Sequence, residues 1–179
     1  MKFKIFRYKN VKSTNNTAIR IIKNSNVDYG MIITEKQSGG RGQYGKKWIS
    51  YEGNLFISFF YELDNLNLSL KKITRINCLL VKKLLSSYYK KKIIFKKPND
   101  LLIEKKKICG ILQETVKNFD RLFLIVGIGI NLIKNPYIKN YPTVSLYDLI
   151  EKKVKKKKIE NELKKIFEVN LTKFYKKQI

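Results

Sequence analysis

The sequence contains no histidine, only three prolines and only two cysteines among 179 residues. The absence of histidine excludes histidine metal sites, histidine general bases and Ser-His-Asp triads. Two cysteines without a CxxC motif do not make a disulfide framework. The longest apolar stretch, from Leu122 to Ile133, is shorter than the roughly 20 residues of a bilayer-spanning helix. Because no apolar stretch follows Met1, we expect a cytoplasmic protein that does not associate with membranes.

Acidic residues and arginines are also scarce. The chain has 14 acidic residues against 39 lysines and arginines, which gives a formal net charge of +25, and only five of these 39 are arginines. A strongly basic surface can bind nucleic acid through its phosphates. The lysines, however, are spread along the chain, and arginine reads nucleic-acid grooves better than lysine does. The composition therefore favours a generally lysine-rich surface over a specific nucleic-acid-binding site.

Hydrophobic patterning predicts a mixture of strands and helices. Ser13 and the two residues after it can cap a helix that begins near Thr14, whereas the four glycines in 38–47 exclude a regular element there. Predicted strands cover 1–8, 31–34, 54–61, 92–97 and 122–132, a hairpin covers 101–116 around Lys105-Lys106, and helices cover 69–88, 145–150 and the region after Ile159. The lysine-rich run 152–158 is predicted to be a solvated linker. This order, without a visible boundary, predicts one α/β or α+β domain over 1–179, with helices packed on one side of the sheet.

The segment Gln37–Trp48 carries the strongest chemical signal. Its glycines let the backbone approach a ligand closely and present N–H groups to anionic oxygens. Arg41 can bind a carboxylate or a phosphate through two parallel N–H donors. Trp48, the only tryptophan, can stack on a flat ring. The segment matches neither a Walker loop nor a dinucleotide-binding fingerprint. Composition alone is equally compatible with an exposed flexible loop.

Two further motifs follow. In Lys96–Asp100, the lysine can act as a point charge against a phosphate, with Asn99 or Asp100 orienting it or holding a cation; on its own, this pentapeptide favours an ordinary turn. The segments 107–114 and 127–131 carry glycines inside predicted strands. Such glycines mark a bulge or a close approach of the backbone to another group, and tight strand packing alone also explains them.

Six motifs, taken in their order along the chain, resemble those of the biotin protein ligase family. They are Ser13-Thr14-Asn15, GRGQYGKKW at 40–48, GNLFIS at 53–58, KKPNDLLI at 96–103, KKICGILQE at 106–114 and GIGIN at 127–131. The resemblance implies a mixed β-sheet flanked by helices, a class II aminoacyl-tRNA synthetase-like fold shared with lipoate and octanoyl transferases. It also implies that biotin and ATP form biotinyl-5′-adenylate, which then biotinylates a lysine of the carrier domain of acetyl-CoA carboxylase.

The resemblance also implies residue roles. Arg41 and Lys96 would be the catalytic residues, with Mg²⁺ held mainly by the ATP phosphates and no metal ligands assigned. Biotin would contact Ser13, Thr14, Asn15, Gln37, Gly40, Arg41, Gly42, Gln43, Lys96, Gly110 and Ile111. ATP would contact Arg41, Trp48, Lys96, Asn99 and Asn131. The biotin carboxyl carrier protein domain would be the partner, and the enzyme would be a monomer or a homodimer.

Three features depart from the family pattern. Lys97 stands where the family usually has tryptophan, and Gln43 and Tyr44 replace arginines that are often found in the glycine-rich loop. The chain ends at Ile179, where the family commonly continues into a small C-terminal β domain, so we expect that domain to be absent. We also expect no N-terminal helix-turn-helix. Alternative functions are a lipoate or octanoate ligase of the same fold and a degraded biotin-binding relative; a basic nucleic-acid-binding module is the least favoured.

Overall fold

The computed structural model describes residues 2–63 and 69–176, with the side chains described up to residue 173. The strands are β1 (Lys4–Val11), β2 (Tyr29–Gln37), β3 (Leu55–Glu62), β4 (Ile93–Lys96), β5 (Asp100–Ile103), β6 (Lys106–Asn118) and β7 (Arg121–Ile130). The helices are α1 (Thr14–Asn24), α2 (Leu70–Tyr88), α3 (Leu146–Ile150) and α4 (Lys156–Lys176). Among the described residues, no helix is both long and apolar enough to cross a membrane.

The seven strands form one sheet in the order β1-β2-β3-β7-β6-β5-β4. The β1–β2 pair is parallel, and the other five pairs of neighbouring strands are antiparallel. The predicted mixed sheet is therefore confirmed. This order places the glycine-containing strands β6 and β7 side by side near the middle of the sheet, where β3 and β5 flank them.

The two faces of the sheet pack against different helices. On one face, the larger core includes Val81 of α2 and Leu163 of α4 against strand residues such as Ile57. On the other face, Ala18 and Ile22 of α1 pack with a separate set of strand residues that includes Phe60 and Ile125. The expectation that all helices lie on one side is therefore wrong. Periodicity identifies a helix as amphipathic but does not tell which sheet face it covers.

Most predicted elements occur with small changes at their ends. Helix α2 begins after Ser69, whose hydroxyl accepts a hydrogen bond from the Lys72 backbone N–H at 3.4 Å, as expected for an N-cap. The β5–β6 turn is centred on Glu104 and Lys105, with φ of 50° and 62°, one residue earlier than predicted. The predicted linker 152–158 is partly helical, because α4 begins at Lys156.

Candidate active site

A cavity of about 940 Å³ contains nearly all the predicted site residues. It is bounded by the start of α1, the loop after β2, the β4–β5 turn, the adjoining parts of β6 and β7, and the segment 136–143. Its lining includes Ser13, Thr14, Asn15, Gln37, Arg41, Gly42, Gln43, Trp48, Lys96, Asn99, Gly110, Ile111 and Asn131. Of the predicted set, Gly40 alone does not line it. Six separate parts of the sequence therefore converge, and the proposed cations Arg41 and Lys96 face one space.

Three strand glycines form the floor of this cavity. Gly110 of β6 lies opposite Gly129 of β7 in the register, and Gly127 lies two residues before Gly129. A Cβ atom at Gly110 or Gly129 would lie 2.5 or 2.4 Å from the Trp48 ring, and one at Gly127 would lie 2.3 Å from Asn15 Oδ1. Real Cβ atoms do not approach this closely. The glycines therefore allow Trp48 and Asn15 to lie directly on the sheet, which is the close approach that the sequence motif suggested.

Gly40 shapes the glycine-rich loop from outside the cavity. Its carbonyl oxygen accepts a hydrogen bond from the Trp48 backbone N–H at 2.9 Å. A Cβ atom there would lie 2.6 Å from the Trp48 carbonyl oxygen, so a larger residue does not fit. Between these two residues the loop contains one short 3₁₀ turn, Gln43–Gly45, in which Tyr44 has a φ of 55°. The observed role of Gly40 is to close the loop that presents Trp48.

The start of α1 is tied to the end of β2. The Thr14 backbone N–H and hydroxyl donate to Gln37 Oε1 at 2.9 and 3.2 Å. Gln37 Nε2 donates in turn to the Ser50 hydroxyl at 3.2 Å. Ser13 is the buried N-cap residue, but its side chain makes no capping hydrogen bond. Ser13 lines the cavity, and the helix does not use its hydroxyl as a cap.

Glu114 joins Arg41 to Asn15. Glu114 Oε2 lies 2.6 Å from Arg41 Nη2 and accepts a hydrogen bond from Asn15 Nδ2 at 2.7 Å. Asn15 Oδ1 accepts a hydrogen bond from the Ser58 hydroxyl at 2.6 Å, so both ends of its amide are fixed. Glu114 is not among the site residues predicted from the sequence. Strand alternation was the available signal, because it places Glu114 on the same face of β6 as Gly110.

A second cluster of charged side chains surrounds Asp100. The Lys107 ammonium lies 2.8 Å from Asp100 Oδ1, and the Tyr141 hydroxyl donates to Asp100 Oδ2 at 2.6 Å. The Lys96 ammonium lies 4.4 Å from the centre of the Tyr141 ring. Burial and the neighbouring carboxylate raise the pKa of Tyr141, so its phenol stays protonated at neutral pH. Lys107 and Tyr141 line the cavity, but neither is among the site residues predicted from the sequence.

The two asparagines predicted to bind the nucleotide each donate a hydrogen bond within the protein. Asn99 Nδ2 donates to the Ile111 carbonyl oxygen at 2.9 Å. Asn131 Nδ2 donates to the Val144 carbonyl oxygen at 3.3 Å, whereas Asn131 Oδ1 is buried without a hydrogen-bond partner among the described residues. Trp48 Nε1 and Gln43 Oε1 are likewise buried without a hydrogen-bond partner among the described residues. Buried polar atoms are normally paired, so one donor and two acceptors in this cavity are suited to a polar ligand.

The departure at Lys97 lies at the edge of the cavity. Lys97 lines the cavity, and its side chain is exposed. No group of three or more Cys, Asp or Glu side chains that could hold a metal ion occurs in the part of the chain that the structure describes. The carboxylate of Asp100, which lines the cavity, is already engaged by Lys107 and Tyr141. The donor set therefore contains ammonium, guanidinium, amide and hydroxyl groups, which suit an anionic and polar ligand.

Comparison with known proteins shows to which family the chain belongs. The model of the biotin/lipoate A/B protein ligase family matches residues 8–131, which include the glycine-rich loop, the β4–β5 turn and the glycine strands. The chain belongs to the biotin/lipoate A/B protein ligase family. The family predicted from the ordered motifs is thereby confirmed, and its match ends at Asn131, one of the cavity residues.

Individual family members are similar over different shares of the chain. The bifunctional ligase/repressor BirA of Bacillus subtilis is 32% identical over 131 residues, which are 70% of this chain and 39% of that protein. The biotin protein ligase from Aquifex aeolicus, solved in complex with biotin and ATP, is 31% identical with a TM-score of 0.81; the match covers 97% of this chain and 72% of that one. The Leishmania major biotin protein ligase with biotinyl-5-AMP shares the fold, at 22% identity and a TM-score of 0.79, over 91% of this chain and 72% of that one. The chain spans 32% to 39% of the length of the BirA proteins it matches.

Proposed function

We propose that the chain is an ATP-dependent biotin–protein ligase. It joins biotin and ATP to form biotinyl-5′-adenylate and passes the biotinyl group to a lysine of a biotin carboxyl carrier protein domain. The observation that carries this proposal is the convergence of Arg41, from the loop after β2, and Lys96, at the end of β4, on a cavity that also presents Trp48. The similarity to the Aquifex aeolicus enzyme with biotin and ATP supports the choice of substrates.

In the first step, a carboxylate oxygen of biotin attacks the α-phosphorus of ATP. A P–O bond forms, the bond to the β-phosphate oxygen breaks, and pyrophosphate leaves. The attacking group is an anion that the substrate supplies, so this step requires no protein nucleophile, in keeping with a sequence that lacks histidine. Arg41, Lys96 and Lys107 offset the negative charge around phosphorus, and catalysis consists of positioning and electrostatic stabilisation.

In the second step, the neutral amine of the carrier lysine attacks the acyl carbon of the mixed anhydride. An amide bond forms, AMP leaves, and the amine loses one proton. The phosphate of AMP stays beside the same cations as it departs. The two steps therefore share one set of positive charges.

Binding is divided between the two ends of the cavity. We assign the biotin head group to the hydroxyl and amide groups of Ser13, Thr14, Asn15 and Gln37, at the start of α1 and the end of β2. ATP lies toward Trp48 and Asn131, whose Nε1 and Oδ1 atoms are buried without partners in the described chain. Mg²⁺ would be held mainly by the ATP phosphates and would balance their charge, because Asp100 is already paired. Dependence on ATP suits a cytoplasmic enzyme.

The direct test combines the purified protein with biotin, ATP, Mg²⁺ and a biotin carboxyl carrier domain, followed by mass spectrometry of the carrier. We expect one biotinyl group on one lysine, and none when ATP is omitted. Parallel reactions in which lipoate or octanoate competes with biotin identify the acyl substrate. A carrier modified by lipoate or octanoate instead would favour the alternative ligase. Biotin binding without formation of an adenylate would indicate a degraded relative.

A further inference from the structure

Tyr141 lies in an irregular segment between β7 and α3, outside the sequence motifs that line the rest of the cavity. Its hydroxyl donates to Asp100 Oδ2 at 2.6 Å. Asp100 is buried and is also held by the Lys107 ammonium at 2.8 Å. The phenol end of Tyr141 is therefore anchored to the first residue of β5. Such charge-assisted hydrogen bonds are about twice as strong as neutral ones.

The face of the Tyr141 ring is directed at ammonium groups. Lys96 Nζ lies 4.4 Å from the ring centre, and Lys107 Nζ lies 5.6 Å from it. Both distances are within the range in which the negative face of an aromatic ring attracts a cation. The ring thus attracts two positive charges that would otherwise repel each other in the same cavity.

Lys96 has few other contacts to fix it. Its side chain is exposed, and no carboxylate forms an ion pair with it in the ranges that the structure describes. Lysine has a long side chain that loses considerable rotamer entropy when it is held in one place. The backbone of Lys96 pairs with Asp100 in the β4–β5 ladder, and Asp100 also anchors Tyr141. Asp100 therefore positions both groups: its backbone pairs with that of Lys96, and its carboxylate holds the ring beside the ammonium.

We propose that Tyr141 is a positioning residue for adenylate formation, which holds the Lys96 ammonium where the acyl carboxylate and the α-phosphate meet. The inference rests on the proposed function, because it assumes that Lys96 acts in adenylation. Tyr141 touches no reacting atom in this scheme. It acts through Lys96 and keeps the ammonium directed into the cavity before ATP arrives.

The test measures biotin-dependent exchange of pyrophosphate into ATP. Tyr141→Leu keeps much of the bulk and removes the ring; we expect it to lower the exchange rate roughly 2- to 30-fold, the range for a cation–π contact. Tyr141→Phe keeps the ring but loses its anchor to Asp100, so it should lower the rate less than Tyr141→Leu does. Tyr147→Leu in α3 is the matched control, because this partly exposed tyrosine lies outside the cavity lining. Thermal unfolding of each variant identifies any that fails to fold.

A double-mutant cycle with Lys96→Ala separates positioning from general support of the fold. If Tyr141 acts through Lys96, Tyr141→Leu has little or no further effect on the residual exchange of Lys96→Ala. If it lowers that residual exchange by the same factor as in the wild type, the proposal is overturned. An unchanged rate in Tyr141→Leu alone also overturns it. A wild-type protein without biotin-dependent exchange would instead contradict the proposed function itself.

Discussion

Arg41 on the glycine-rich loop and Glu114 on β6 form an ion pair at 2.6 Å across 73 positions of sequence. The same carboxylate oxygen accepts the amide N–H of Asn15 at the start of α1. The loop, the helix and the sheet are thus joined at one atom on the cavity face of the sheet. Arg41 is held at the cavity by a residue on the sheet, and binding of an anionic ligand would place a second negative charge near the same guanidinium.

Replacement of Glu114 tests this junction. Glu114→Gln removes the charge but keeps an oxygen that Asn15 can donate to, so we expect a loss of only about 0.5–1 kcal/mol in the free energy of unfolding, because the pair is partly exposed. Glu114→Leu also removes the shorter hydrogen bond of the Asn15 amide and leaves it only the Leu112 carbonyl oxygen at 3.3 Å, so it should cost about 1–3 kcal/mol. Urea denaturation measures both losses. Equal stability of the two variants would show that the Asn15 hydrogen bond contributes nothing.

The glycine floor makes a second prediction. Gly129→Ala places a Cβ atom 2.4 Å from the Trp48 ring in the present geometry, so the ring must move, at a cost of about 1–3 kcal/mol. Because Trp48 is the only tryptophan, its fluorescence reports this movement, and we expect emission at longer wavelength as the ring becomes more exposed to water. Gly42→Ala is the comparison, since its Cβ atom would lie 3.3 Å from the Lys46 carbonyl oxygen, a much milder contact that does not involve the Trp48 ring. An unchanged emission in Gly129→Ala would contradict the observed packing.

Gln43 allows a test of how the loop retains the intermediate. Its side chain lines the cavity at a position where the family often has arginine. A guanidinium there would add a charge-assisted contact to the adenylate phosphate, so Gln43→Arg should slow release of biotinyl-5′-adenylate. Trapping the released adenylate over time measures the effect. Tyr147→Arg adds the same charge on α3, at an exposed side chain outside the cavity lining, and serves as the control. Equal release from Gln43→Arg and the wild type would remove this role of the loop.

Local patterns in the sequence predicted most of the helices and strands. Contacts between residues far apart in the sequence could mostly not be predicted. The apolar spacing of 69–88 suffices to predict α2, because helical periodicity is a local property of the sequence. The partners of Asp100 were missed, because Tyr141 lies 41 positions away in a segment without periodicity. The order of the strands and the sheet face that α1 covers depend on tertiary packing. The motifs predicted which residues share one site, but not that the carboxylates of Glu114 and Asp100 hold several of them by ion pairs and hydrogen bonds.

In the proposed function, Arg41 and Lys96 act together on one acyl-adenylate. The most direct measurement is biotin-dependent pyrophosphate–ATP exchange in the wild type, Arg41→Ala and Lys96→Ala, with Lys71→Ala on the opposite face of the sheet as the control. We expect each of the first two variants to lose about 3 kcal/mol of transition-state stabilisation, roughly 100- to 1,000-fold in rate, as for removal of one oxyanion-stabilising donor. Lys71→Ala should match the wild type. Exchange at the wild-type rate in either Arg41→Ala or Lys96→Ala would contradict the account.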